Sequence, residues 1–123
     1  VDALDTISAR RELAAACRQA GIPLVHAAVA GFEGQVMTIF PEDAGLDQVY
    51  GQHRSDAPPD EAPENLMGVT GIAATVLAGL EAMEAVKILL GRGRLLRDRM
   101  LYLDLENAGF QELSFSGDAA DRD

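Results

Sequence analysis

The sequence predicts an α/β domain with a mixed parallel/antiparallel sheet. Three observations carry that expectation. The chain opens on a short, apolar, β-prone run, Val1–Leu4, which Asp5 closes just before a helical pattern begins. An open α/β sheet ends a parallel strand in this way, and ligands bind at the carboxyl ends of such strands. Segments then follow in the order strand, helix, strand, strand, long loop, helix, strand, strand. The last two strands are joined by Glu106-Asn107-Ala108-Gly109, a hairpin signal. An opening inside a strand also suggests that these residues are the second part of something larger.

Ile7–Ala20 reads as the first helix. Ile7, Leu13, Ala14 and Cys17 fall near one face, with Arg11, Glu12, Arg18 and Gln19 mostly elsewhere. Gly21 suits the C-terminal cap and Pro23 stops continuation. Pro23–Val29 is apolar and β-branched enough for a buried strand, and Ala30-Gly31 marks a turn or bulge. Gln35–Phe40 alternates, with Val36, Thr38 and Phe40 on one face and Gln35, Met37 and Ile39 on the other. It is a second strand, antiparallel to the first or sharply bent from it.

Pro41–Met67 holds four of the five prolines and little periodicity. A loop this long inside a compact domain is uncommon and usually functional or mobile. Its one apolar patch, Leu46–Tyr50, suits a short turn of helix. Gly68–Leu90 is the main helix, ended by Gly91 and the basic run Arg92–Arg97, which suits the helix dipole. Met100–Asp104 and Phe110–Phe115 are the last strands, and Ser116–Asp123 is an acidic tail expected to be disordered.

At 123 residues the chain fits one domain at most. Its net charge of −10 argues against nucleic acid and against an anionic membrane surface as partners. The single cysteine, Cys17, makes no intrachain disulfide and no structural zinc site. A reducing cytoplasm is the default location, and Asp2 and Asp5 stand where a signal peptide would be basic. Gly71–Leu90 is apolar but carries Glu81, Glu84 and Lys87, each costing about 2.5–3.5 kcal/mol near a bilayer centre. Their spacing of three lines one stripe, so the expectation is a core helix with one wet edge and a local Glu84–Lys87 ion pair. His26 reads as a satisfied core histidine and His53 as a solvated loop residue; neither is a catalytic candidate.

Asp5-x4-Arg10, then Cys17, Gly21-Ile22-Pro23-Leu24-Val25 and Gly31-Phe32-Glu33-Gly34-Gln35-Val36 resemble the ThiF/MoeB/HesA family. This is the bacterial branch of the ubiquitin-activating enzyme superfamily. Gly68-Val69, the helix Leu80–Gly91 with Ala82-Met83-Glu84-Ala85-Val86-Lys87 at its heart, Met100–Asp104 and Phe110 continue the resemblance. It covers the carboxyl-terminal part of the family's Rossmann-like adenylating domain, here residues 1–115 with 41–67 as the crossover loop.

The resemblance implies an ATP-dependent adenylyltransferase. With ATP and Mg2+ it would activate the C-terminal glycine of a ubiquitin-like sulfur-carrier protein, for thiamine, molybdopterin or related sulfur transfer. A carboxylate attacks the α-phosphate, and the barrier is charge crowding rather than deprotonation, so positioning and electrostatics carry the catalysis. Asp5 matches the family aspartate that holds magnesium and the phosphates. A carboxylate at that place is also a favoured helix N-cap, and the two roles are compatible. Arg10 matches a family arginine near the phosphates or the carrier tail; by itself it reads as a surface helix arginine. Thr6 stands where asparagine is often found. Cys17 matches an inward-facing position and behaves as a small hydrophobe. The family's loop cysteine and paired Cys-x-x-Cys zinc ligands are missing, with Leu46–Tyr50 where one pair would be. The expectation is therefore no zinc and no thioester or persulfide step on this chain. The family also implies a homodimer.

No Gly-x-Gly-x-x-Gly follows a strand, and Gly91-Arg92-Gly93 follows a helix as its cap. The chain is therefore expected to be a fragment, truncated or proteolysed, that does not adenylate alone and covers its open sheet edge by assembly. The alternative is a non-catalytic carrier-binding or assembly module. A dinucleotide-fold dehydrogenase fragment is weaker, since Gly31–Val36 and the late helix argue against it.

Overall fold

The computed structural model describes residues 1–51 and 68–115. His53, most of the long loop and the tail 116–123 lie outside the described residues. Helix α1 spans Ile7–Ala20. Its N-cap is Thr6, whose Oγ1 accepts the Ala9 amide at 3.2 Å, so Asp5 is not the cap. Gly21, at φ 68°, closes the helix by donating to the Arg18 carbonyl, and the Ile22 amide returns to Cys17.

Strands β1 (Leu24–Ala30) and β2 (Glu33–Ile39) form a hairpin that pairs Ala30 with Glu33. Only Gly31 and Phe32 connect them, and Gly31 takes the left-handed φ of 59° that such tight turns demand. One turn of helix, α2 (Asp47–Tyr50), follows. Helix α3 (Gly71–Leu90) is capped by Thr70 and ended by Gly91. Strands β3 (Arg99–Asp104) and β4 (Gly109–Ser114) complete the fold. The Asp104 carboxylate holds their turn through the Glu106 and Asn107 amides.

The sheet order is β1-β2-β3-β4 and every ladder is antiparallel. This corrects the mixed sheet. Val1–Leu4 is not a strand: the Asp2 amide donates to the Val25 carbonyl at 2.8 Å, on the edge of β1. Two residues later the Leu4 amide turns inward to Asp2 Oδ1 at 3.0 Å. That side-chain turn competes with strand pairing. Parallel geometry survives among the described residues as one isolated bridge, Gly31 to Val69.

Helices cover both faces of the sheet. On the α1 face, Cys17, Leu24, Met37, Ile39, Leu46 and Met100 form one core, with Cys17 buried as expected. On the α3 face, Ala27, Val36, Leu77 and Leu103 form the other. The alternation of β2 is therefore as the sequence suggests, Met37 and Ile39 one way and Val36 and Thr38 the other. Gly34 lets α3 approach, since a Cβ there would lie 2.6 Å from Leu77 Cδ2.

Helix α3 corrects a second expectation. Its Glu81 and Glu84 are buried, not on a wet edge. Glu84 Oε2 accepts the Thr38 hydroxyl at 2.7 Å and the Leu96 amide at 2.9 Å, while Oε1 pairs with Lys87 Nζ. The donors that satisfy Glu84 lie beneath the helix, so the polar stripe turns in. Ile72, Val76, Met83, Val86, Leu89 and Leu90 are left outside. Among the described residues no helix is long and apolar enough to cross a membrane.

Candidate active site at the start of helix α1

Asp5 and Thr6 form a bend between the β1 edge and α1. With Thr6 acting as cap, the Asp5 carboxylate is exposed and makes no hydrogen bond or ion pair among the described residues. No acid occupies the first turn of α1. The positive end of its dipole is therefore not neutralised by a side chain of that turn.

Arg10, one helical turn on, is buried rather than on the surface. Its Nη2 donates to the Leu4 carbonyl at 2.6 Å, adjacent to Asp5, and Nη1 donates to the Tyr50 hydroxyl at 3.2 Å. Nε lies 3.5 Å from Asp2 Oδ2. The guanidinium thus ties three parts of the chain together: the opening segment, α1 and α2.

Beneath Arg10 sits a buried polar chain. His26 Nδ1 is 2.7 Å from Asp2 Oδ2, both side chains fully buried. An ionised carboxylate only accepts, so Nδ1 carries the shared proton and Nε2 faces the other way. There it meets Gln35 Nε2 at 3.3 Å and the Tyr50 hydroxyl at 3.4 Å, with the Tyr50 ring edge-on. Burial alone would raise the Asp2 pKa; bonds from His26 and the Leu4 amide, with the charges of His26 and Arg10, bring it below the usual value. His26 is the satisfied core histidine that the sequence suggests. Asp2, Tyr50 and Gln35 were not singled out from sequence. The available signal was an acid and a histidine each placed in an apolar run, two buried ionisable groups that need each other.

Across the β1 edge, Glu81 reaches in from α3. Its Oε1 is buried without a hydrogen-bond partner among the described residues. Burial and then the Asp2 charge push its pKa from the ordinary 4.5 up to about 7, against smaller opposing effects of the Val1 amino group, Arg10 and the Ala27 backbone.

Magnesium is usually held by one or two carboxylates together with phosphates and water, not by an all-protein cage. The unengaged Asp5 carboxylate fits that use. Among the described residues no group of three or more His, Cys, Asp or Glu gathers to hold a metal.

The chain matches the ThiF family over residues 1–121. It is 34% identical over 117 residues to the SAMP-activating enzyme E1 of Haloferax volcanii, covering 94% of this chain and 42% of that protein. To the sulfur carrier protein ThiS adenylyltransferase of Escherichia coli it is 34% identical, covering 74% of this chain and 36% of that one. To the molybdopterin-synthase adenylyltransferase of the same organism it is 29% identical, covering 92% and 45%. The chain therefore spans less than half the length of these relatives. A crystal structure of selenomethionine PaaA superposes with a TM-score of 0.63 over 88% of this chain and 40% of that one, at 16% identity. That likeness shows the fold alone.

Proposed function

Since the chain belongs to the ThiF family, we propose that it supplies the Asp5 side of an adenylation site in its whole protein. That protein activates the C-terminal glycine of a ubiquitin-like sulfur carrier with ATP in the cytoplasm, and works as a homodimer. The observation that carries this reading is the Asp5 carboxylate, exposed and unengaged on a bend fixed from both sides.

In the reaction a carboxylate oxygen of the carrier attacks the α-phosphorus. The bond from that phosphorus to the α–β bridging oxygen breaks, and pyrophosphate leaves with the bond's electrons. No proton need be removed. Magnesium, when bound, offsets the phosphate charge, and Asp5 is the residue of this chain that would hold it. The N-terminus of α1 favours the phosphates through its dipole. Arg10 acts as a positioning residue: its bond to the Leu4 carbonyl fixes the peptide next to Asp5, and the Asp2–His26–Tyr50 chain fixes Arg10 in turn.

ATP–pyrophosphate exchange tests this directly. The whole protein with its carrier and magnesium is expected to exchange. The 123 residues by themselves, which contain no glycine-rich phosphate loop, are expected not to. A whole protein that binds its carrier but never exchanges would overturn the reading in favour of a non-catalytic carrier-binding module.

A further inference from the structure

A cavity of about 170 Å³ lies between α1, the end of β2 and the segment that leads into α2. Its floor belongs to the core on that face: Cys17, Leu24, Ile39 and Leu46 are all buried. Its rim carries charge, from Arg11, Arg18 and Asp47. Arg11 is spent on the rim itself. Its Nη1 pairs with Asp47 Oδ1 at 3.2 Å, and its Nη2 donates to the Gly51 carbonyl at 2.9 Å. Arg18 is not spent. Its Nη2 donates to the Asp43 carbonyl at 2.7 Å, and no carboxylate pairs with its guanidinium among the described residues. Two small residues keep the space open. Ala14 offers only a methyl to the wall. At Gly45 a Cβ would lie 3.4 Å from Arg18 Nη2 and 3.6 Å from Ile39 Cγ2, between the cation and the core. Arg18 stands near the far end of α1, about 18 Å along the helix from its N-cap, so the cavity is separate from the Asp5 site.

We propose that this cavity binds a compact organic monocarboxylate of about the size of benzoate. The carboxylate sits on Arg18 and the apolar body lies on the floor of Cys17, Leu24, Ile39 and Leu46. The site goes beyond the adenylation reading and does not depend on it. Size selects the body: an apolar cavity of about 150 Å³ admits benzene, and this one is slightly larger. Charge selects the head. A guanidinium that has given one bond to a carbonyl keeps N–H donors to spare, and its planar fork matches a carboxylate. A cation would meet Arg18 with no acid free to answer it, since Asp47 is already paired with Arg11. A phosphate monoester brings about two charges to a rim with one cation to spare, and its second charge faces Asp47. A neutral apolar ligand leaves Arg18 unused. One negative charge on a small apolar body satisfies both the rim and the floor.

The test reads binding, not catalysis, so its failure is distinguishable from failure of the adenylation reading. Amide NMR of the full chain is followed while sodium benzoate is added, with benzamide as the neutral probe of the same shape. Benzoate is expected to give saturable shifts at Ala14, Cys17, Arg18 and Gly45, and benzamide to bind roughly 10-fold more weakly, the scale of one charge-assisted contact at an exposed cation. Arg18→Gln, on an exposed position, is expected to lose the preference for benzoate and to leave benzamide binding unchanged. Ala14→Leu puts a larger side chain into the cavity on a helix that accepts leucine; it should abolish both while keeping the circular dichroism of the parent. A parent that shows no saturable shift at these residues overturns the proposal, as it would if a carboxylate of the whole protein already filled the cavity. So does equal binding of benzoate and benzamide, or an Arg18→Gln chain that still prefers benzoate. A folded Ala14→Leu chain that binds as the parent does overturns it as well.

Discussion

Replacing Glu81 by Gln keeps the shape of a buried side chain and removes its ability to ionise. In the folded protein the Glu81 carboxyl is raised from 4.5 to about 7. At about 1.4 kcal/mol per pH unit, the shift corresponds to roughly 3 kcal/mol. The sign follows from the direction. A group whose folded pKa is raised contributes stability fully below its unfolded value and loses it as pH climbs through the folded one. Stability of the parent therefore falls between about pH 5 and pH 8 by up to roughly 3 kcal/mol on account of Glu81. Glu81→Gln lacks that fall. Asp2 and Glu84 do not blur the window, because their folded values are lowered and their contributions are lost only as pH drops through the acid range. Urea unfolding of both proteins across this range is expected to show Glu81→Gln gaining on the parent as pH rises. In melting temperature the gain approaches roughly 10 °C at the alkaline end. Parallel pH profiles for the two proteins, or a Glu81→Gln chain that loses ground above neutrality, would refute the reasoning.

Two further predictions concern packing and the buried chain under Arg10. His26→Leu strips Asp2 of its 2.7 Å partner and leaves a carboxylate buried, so urea unfolding should register a loss of about 3–5 kcal/mol; a loss under about 1 kcal/mol would show that Asp2 does not depend on His26. Gly34→Ala puts a methyl 2.6 Å from Leu77 Cδ2, costing about 1–3 kcal/mol, and Leu77→Ala in the same chain should recover part of that cost. Simple additivity of the two changes would contradict the contact.

Local signals made much of this fold readable in advance. Gly21 and Gly91 end their helices in the left-handed conformation, α1 has the bounds that its pattern gives, and β2 alternates between the two cores. What was not legible depended on distant partners. The apolar residues of α3 lie on both faces, Ala73 and Leu77 inward and Ile72, Met83 and Leu90 outward. Periodicity therefore gives the helix no inside, and the charged stripe is what the sequence alone assigns to the wet edge. Only Thr38 and the Leu96 amide, brought under the helix by the sheet, show why Glu84 turns inward. The opening run departs from a strand for a local reason that its apolar character hides: the Leu4 amide turns back to the Asp2 carboxylate, which competes with strand pairing. The candidate site was half visible. Asp5 and Arg10 came from motif resemblance. The Asp2–His26–Tyr50 support was not visible, since His26 lies 24 residues from Asp2 and 24 from Tyr50.

The most direct measurement of the account is ATP–pyrophosphate exchange by the whole protein carrying Asp5→Asn, with its carrier and magnesium. Asp5 is exposed and bonds to no other group among the described residues. The variant should therefore unfold like the parent while its exchange falls roughly 100-fold or more, the scale of losing a pre-placed electrostatic group. Exchange at the parent rate from a folded Asp5→Asn protein would contradict the assignment of Asp5 to the phosphate and metal side of the site.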